Sequence, residues 1–352
     1  MPNKNVFSLC LTLSALTPTS AGQVPPMPQT ATVLVRDVVN WQDDAAMDQS
    51  SFKWFDAQGR LIRTIRHPRI KLTQGAAVDS HCLWITGVAY NPYARPKSTQ
   101  ETETISCIDL KSTAVKDYFI PGFQGVHPSV SPTTGKVFVG CATGPKVAVI
   151  QNGKATVINL KQYFHQIDSG LKSTHGFIHM SSHYYIQTVD MKNGGIGLVQ
   201  IDEKTEKPIA IQSINGYSVR SIHNTDQLYE IVQSIKNPSD AWIGILDSRI
   251  KPIRKIKIPN SIDPRSIIFL NKEKIVFLKD ERYFIEVSLN GFKFKRIIFE
   301  KQNAEYYKTF IKEDKLYVGS QVGGQDLTIL DLKTGSKKTI KAAQSMDGLE
   351  SL

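Results

Sequence analysis

Two histidines and three cations stand a few residues ahead of successive apolar segments. His127 precedes Val130, His175 precedes Ile178, Arg220 precedes Ile222 and Arg265 precedes Phe269, while Tyr307 and Lys308 precede Phe310. An imidazole titrates near neutrality and can act as acid or base, and guanidinium and ammonium groups hold carboxylates, phosphates or polarised carbonyls. Gathered in one place, they would form a basic, titratable funnel. Arg220, Arg265, Tyr307 and Lys308 would hold an anionic ligand, and His127 or His175 would move a proton. No carboxylate accompanies these residues to orient either ring. The same set therefore also reads as histidines bonded to neighbouring loops among solvated cations.

Tyr90 and Tyr93, with Arg95 and Lys97, lie in Gly87 to Thr104, the longest stretch between strand-like segments. Long loops carry function more often than they merely connect, so these residues are candidates for a lid or partner surface, an inert insertion being the alternative. His175, His179 and His183 suggest a metal triplet, but Ser181-Ser182 reads as a turn between the last two. A hairpin crossing to the opposite face does not bring three nitrogens to about 2 Å from one ion. No metal and no other cofactor is expected.

What must position these groups is a repeat. From Val126 to Leu160 the chain reads as four short strands: Val126 to Ser131, Lys136 to Gly140, Lys146 to Ile150 and Ala155 to Leu160. Asn152-Gly153 forms the last tight turn, a strong hairpin signal. Polar turns recur at Asp56, Asp109, Gln151, Asp202, Asp247, Asn290 and Asp331, at intervals from the forties to the low fifties. A second marker is an apolar strand six or seven residues after each of Val130, Ile178, Ile222, Phe269 and Phe310, beginning at Val137, Tyr184, Leu228, Ile275 and Leu316. Short strands at this period with no amphipathic helix between them predict an all-β propeller, because one blade cannot bury both of its faces alone. Seven four-stranded blades are expected, with six as the alternative.

Ala31 to Asp37, Ser51 to Asp56 and Arg60 to Arg66 supply three strands of the first blade. Ser345 to Leu352 is expected to return as its innermost strand and close the ring. In such a ring the interblade loops, and the loops between second and third strands, surround the mouth of the central channel. Aligning the innermost strands on Val130, Ile178, Ile222, Phe269 and Phe310 places the funnel residues there, with the Gly87 to Thr104 insertion overhanging.

The run HPSVSP…GKVFVG…KVAVI…GK, from His127 to Lys154, resembles the YVTN-type repeat of exported bacterial β-propellers. Elsewhere HMSSH, HNTDQ and IKEDK replace its proline-turn-glycine element, so the resemblance is at superfamily level. It implies the scaffold and export; members of one superfold differ in activity.

Residues 1–21 have the order of a signal peptide: Lys4, an apolar run from Val6 to Leu16, and small residues ending at Ala21. A proline-rich lead-in, 22–30, and a single propeller, 31–352, follow. A periplasmic or extracellular location is expected, with no transmembrane segment in the mature chain. Cys82 and Cys107 lie on strands expected to be neighbours, where a disulfide and two isolated thiols are both open readings.

A hydrophobic content of 41% with 21% charged residues excludes global disorder. The net charge of +11 is concentrated late in the chain, on the outer strands expected near Lys251 to Lys257, Lys293 to Arg296 and Lys337 to Lys341. Such a flank suits an anionic polymer, a phospholipid surface or an acidic partner; it also suits protection of sheet edges by lysine. No aromatic-basic interleaving or groove helix points to sequence-specific nucleic-acid binding. Two functions follow. One is a monomeric binding or scaffold protein for a protein partner or an anionic small-molecule or polymer ligand. The other is a small-molecule hydrolase or lyase using a mouth histidine.

Overall fold

Alternating side chains send each strand's two faces to different neighbours, and seven four-stranded antiparallel sheets result in the computed structural model. It describes residues 31–351 apart from 39–42, 73–74, 88–97, 164–170, 181, 191–195, 214–216, 225–226, 281, 301–306, 321–323 and 345. Residues 1–30, where a leader and lead-in are expected, lie outside the described residues.

Blade 1 takes Ala31–Asp37, Ser51–Asp56 and Leu61–Arg66 from the start of the chain and Met346–Ser351 from its end. Each later blade is continuous in sequence and runs from the innermost strand outwards. Blade 2 runs from Ala76–Val78 to Val115–Phe119, and blade 3 from Gly125–Val130 to Lys154–Asn159. Blade 4 runs from Leu171–Met180 to Pro208–Ser213, and blade 5 from Tyr217–Asn224 to Pro252–Lys257. Blade 6 runs from Ile268–Phe269 to Phe294–Glu300, and blade 7 from Tyr307–Lys312 to Lys337–Lys341. Seven blades, not six, make the ring.

The core lies between blades. On the second strand of blade 3, Val137 and Val139 face Trp84 and Ile105 of blade 2, while Phe138 turns to blade 4 and stacks on Tyr184 at 3.9 Å. The ring closes where Val35 pairs with Leu349 and Asp37 with Met346. Met346 is fully buried and Leu349 nearly so, against Val33, Val35 and Phe55 of blade 1 and Tyr317 and Leu327 of blade 7.

The recurrent aspartates have a local cause. At the turn into the outermost strand, Asp56 Oδ1 accepts from the amides of Gln58 and Arg60. Asp247 accepts from those of Arg249 and Lys251, and Asp331 from those of Lys333 and Thr334. A side-chain carboxylate here closes the turn by standing in for a backbone acceptor. Blade 3 uses Asn152 and Gly153 instead, both at positive φ (50° and 75°), as a two-residue primed turn requires.

Cys82 and Cys107, on the second and third strands of blade 2, form a disulfide across Cα atoms 5.5 Å apart; Cys141 is buried and reduced. The diagonal across the pair, with Trp84 opposite Cys107, puts both sulfurs on one face. Among the described residues no helix is long and apolar enough to cross a membrane.

Candidate functional site

The innermost strands of blades 3, 4 and 5 each carry an irregularity in pairing near the interblade end. It falls between Val126 and Pro128, between His175 and Phe177, and between Val219 and Ser221. The extra residues are His127, Gly176 and Arg220. Bulges re-aim side chains and gather at functional edges. His127 takes a φ of 45°, in the left-handed region that most residues other than glycine avoid.

This register corrects the expected alignment of the innermost strands. The residues opposite the second-strand markers are Val130, His179, Asn224, Phe269 and Ile311. Ile178 and Phe310 therefore sit one step off and Ile222 two. His127 corresponds to Gly176, and His175 lies one step earlier, opposite Gln187. The inner strands differ in length and in the turns that follow them, so counting residues slides along them, whereas the fully buried second strands hold their register.

The half-buried His127 lies on the blade 2 side: a Cβ added to Gly75, which leads into the innermost strand of blade 2, would stand 3.0 Å from its Nδ1. Arg265 sits in the 3₁₀ turn Pro264–Ser266 just before the innermost strand of blade 6. Tyr307 and Lys308 open that of blade 7. In five consecutive blades the candidate residues thus fall at one level, three or four residues before Val130, His179, Asn224, Phe269 and Ile311. Tyr90 and Tyr93 lie outside the described residues.

The three-histidine grouping does not converge. His179 pairs across its hairpin with Tyr184 and His183 with Met180, so successive positions send the two imidazoles to opposite faces. His179 Nε2 lies 2.9 Å from Glu203 Oε2, and His183 Nε2 lies 4.0 Å from Asp202 Oδ2. Among the described residues no group of three histidine, cysteine or acidic side chains is placed to hold a metal ion.

Glu203 is instead the centre of a latch between blades 3 and 4, at the end of the ring away from the mouth. Its carboxylate accepts hydrogen bonds from Ser131, Thr133 and Thr134, in the first turn of blade 3, and engages His179 of its own blade. Lys136 Nζ donates to the Glu203 carbonyl at 3.0 Å and pairs with Glu206 at 2.6 Å. Burial works against the Glu203 charge, but the bonds from Ser131, Thr134, His179 and Thr133 outweigh it and hold the carboxyl down at about 2. Nothing in the sequence joins residues some seventy positions apart, so the latch was not foreseen. Glu203→Gln keeps the shape and loses the charge-assisted bonds, and should cost about 2 kcal/mol in chemical denaturation at neutral pH. A loss below a few tenths would deny the latch its role.

The basic outer strands stand where expected. Arg254, Lys255 and Lys257 lie on the exposed edge of blade 5, Lys295 and Arg296 on that of blade 6, and Lys337, Lys338 and Lys341 on that of blade 7.

The sequence matches no protein-family model and no curated protein. The fold does find solved counterparts. Dihydro-heme d1 dehydrogenase NirN in complex with DHE aligns with a TM-score of 0.52 at 10% identity, over 90% of this chain and 67% of that one. Apo AztD from Citrobacter koseri aligns with a TM-score of 0.52 at 11% identity, over 92% and 98% of the two chains. The WD40 β-propeller domain of Doa1 aligns with a TM-score of 0.51 at 9% identity, over 78% and 84%. At these identities the likeness shows the fold, which is the propeller scaffold implied by the YVTN-type resemblance.

Proposed function

We propose that this chain is an exported β-propeller acting as a binding or scaffold module, with its site at the channel mouth. The observation that supports this reading is the common level of His127, His175, Arg220, Arg265 and the Tyr307-Lys308 pair along the inner strands of five successive blades. Cations carried by successive innermost strands suit an anionic small molecule, an anionic polymer or the acidic surface of a partner. Export is supported by the composition of residues 1–21 and by the Cys82–Cys107 disulfide, which suits an oxidising compartment.

The hydrolase or lyase alternative is less favoured. The two histidines occupy different steps of the register, and His127 lies on the blade 2 side, away from blade 4. Calorimetry with citrate and inorganic phosphate as probes tests the choice. The triple change Arg220→Ala, Arg265→Ala, Lys308→Ala should weaken binding about tenfold or more at an unchanged melt, since each charge-assisted contact contributes about 1.5–3 kcal/mol. The pair His127→Ala, His175→Ala should bind nearly normally. Equal affinity of the triple variant and the parent would remove the site from the mouth. Turnover of an ester or lactone panel, abolished by the histidine pair, would establish the alternative.

A further inference from the structure

Two open grooves lie side by side on the face opposite the mouth, where the turns between first and second strands and between third and fourth strands emerge. The larger, about 830 Å³, runs between blades 6 and 7 over a floor of Phe269, Leu270, Ile311 and Leu332. The smaller, about 440 Å³, runs between blades 5 and 6 over Ile245, Ile256 and Leu289. Both are bordered by Lys272 and Lys274. Lys312, Lys333 and Arg296 complete the basic lining of the larger groove, and Arg254 and Lys295 that of the smaller.

Of the acids on these walls, Glu286 is turned inward, and Asp314 is held by a lysine of the same rim. Glu286 is buried, with Arg296 Nε at 2.8 Å and Lys274 Nζ at 3.1 Å. Burial opposes its charge, but the bonds from Arg296 and Lys274 hold its carboxyl below the usual range, so it remains an anion at neutral pH. Arg296 also donates through Nη2 to the Leu332 carbonyl at 2.7 Å, which ties it to blade 7. Asp314 is paired with Lys333 at 2.6 Å. Seven basic side chains line the two grooves against four acidic ones, and the basic outer strands of the same three blades continue the field outwards.

We infer that these paired grooves bind a linear acidic polysaccharide, a carboxylated or sulfated glycan chain laid across blades 5 to 7. Sugar rings carry apolar faces that match the floors, and regularly spaced acid groups match rims made mainly of lysine, whose compact charge needs no fixed partner geometry. A bilayer surface is flat on this scale and does not enter two grooves divided by a turn. A single-stranded nucleic acid needs exposed aromatic faces for its bases, and Phe269, the aromatic residue in the larger floor, is buried.

Binding of the full chain to polygalacturonate and to heparin, measured by calorimetry at about 50 and 200 mM salt, tests this; screening should weaken it about tenfold or more across that range. The triple reversal Lys272→Glu, Lys295→Glu, Lys312→Glu should lose at least about tenfold more. Neutral dextran should not bind. Should the triple reversal disturb folding, Lys295→Glu alone, on an exposed outermost strand, should still cost about threefold. Parent-like glycan binding by whichever variant is folded overturns the inference. So does binding of poly-dT or anionic phospholipid vesicles in place of both glycans.

Discussion

Deletion of residues 346–351 is expected to lower the thermal midpoint by about 10 °C and to leave a chain that self-associates. The strand contributes two large apolar side chains, Met346 and Leu349, to the cluster shared by blades 1 and 7. Truncating one such residue to alanine costs about 2–5 kcal/mol, so removing both with their backbone pairing comes to roughly 7 kcal/mol. Unfolding entropy scales with chain length, which converts that loss into the stated shift. The deletion also bares the first strand, whose partners Ser351, Glu350, Leu349 and Gly348 disappear, and a bare buried edge recruits other chains. Leu349→Ala alone should cost about 3 kcal/mol by the same reasoning. A calorimetric scan of the deletion that overlays the parent would reject closure by this strand.

Glu230 should make the fold less stable as the solution becomes more alkaline. It sits on the second strand of blade 5, fully buried, with Gln212 of blade 4 donating to Oε1 at 3.2 Å; Oε2 has no hydrogen-bond partner among the described residues. Gly244 lies directly opposite, and a Cβ there would fall 2.6 Å from Glu230 Oε1 and 2.8 Å from Trp242, so only glycine leaves room for the carboxyl. Lys255 stands over the Trp242 ring at 4.3 Å. Burial pushes the Glu230 carboxyl up from 4.5 to about 7, against the smaller opposing pulls of Gln212 and Lys255.

The folded chain therefore holds its proton over a range in which the unfolded chain has released it. Stability is unaffected by this group below about pH 4.5, falls between about pH 4.5 and 7, and then levels off about 3 kcal/mol lower. Glu230→Gln is neutral at every pH and should escape the fall. Its thermal midpoint should match the parent's near pH 4.5 and exceed it by about 5 °C near pH 8. Parallel midpoint curves for the two chains across that range would show that the carboxyl ionises without penalty.

The parts of this molecule that were legible in its sequence are those whose cause is local. Turn aspartates and the Asn152-Gly153 pair mark corners because each turn closes on its own side chain or its own φ angles, and that was enough to count seven blades. Val137, Tyr184, Leu228, Ile275 and Leu316 gave true register because strands packed on both faces tolerate no slip. The innermost strands are as short as Ile268–Phe269 and carry bulges, so no apolar period constrains them, and His127 was paired with the wrong residue of blade 4. Among the candidates, the segments that carry them were readable but their steps along those segments were not. Glu203 and its hydroxyl donors were invisible, since one turn from each of two blades makes that site. The lysines of the outer strands were visible as a bias; the grooves they border required the turns at 270–274 and 312–314 to be set beside them.

Blade 1 has a consequence for attachment. Its strand from Ala31 begins, and its strand to Ser351 ends, at the same edge of the ring, since Val33 lies opposite Ser351. That edge belongs to the turn face, because Met346 enters from the mouth side and the chain leaves from the other. Anything fused, tethered or immobilised through either end of the ring would hold the molecule by its turn face, with the mouth directed away from the support. The paired grooves of blades 5 to 7 would then face the support, so an immobilised-protein assay is biased towards ligands of the mouth, and solution measurements weigh both faces equally.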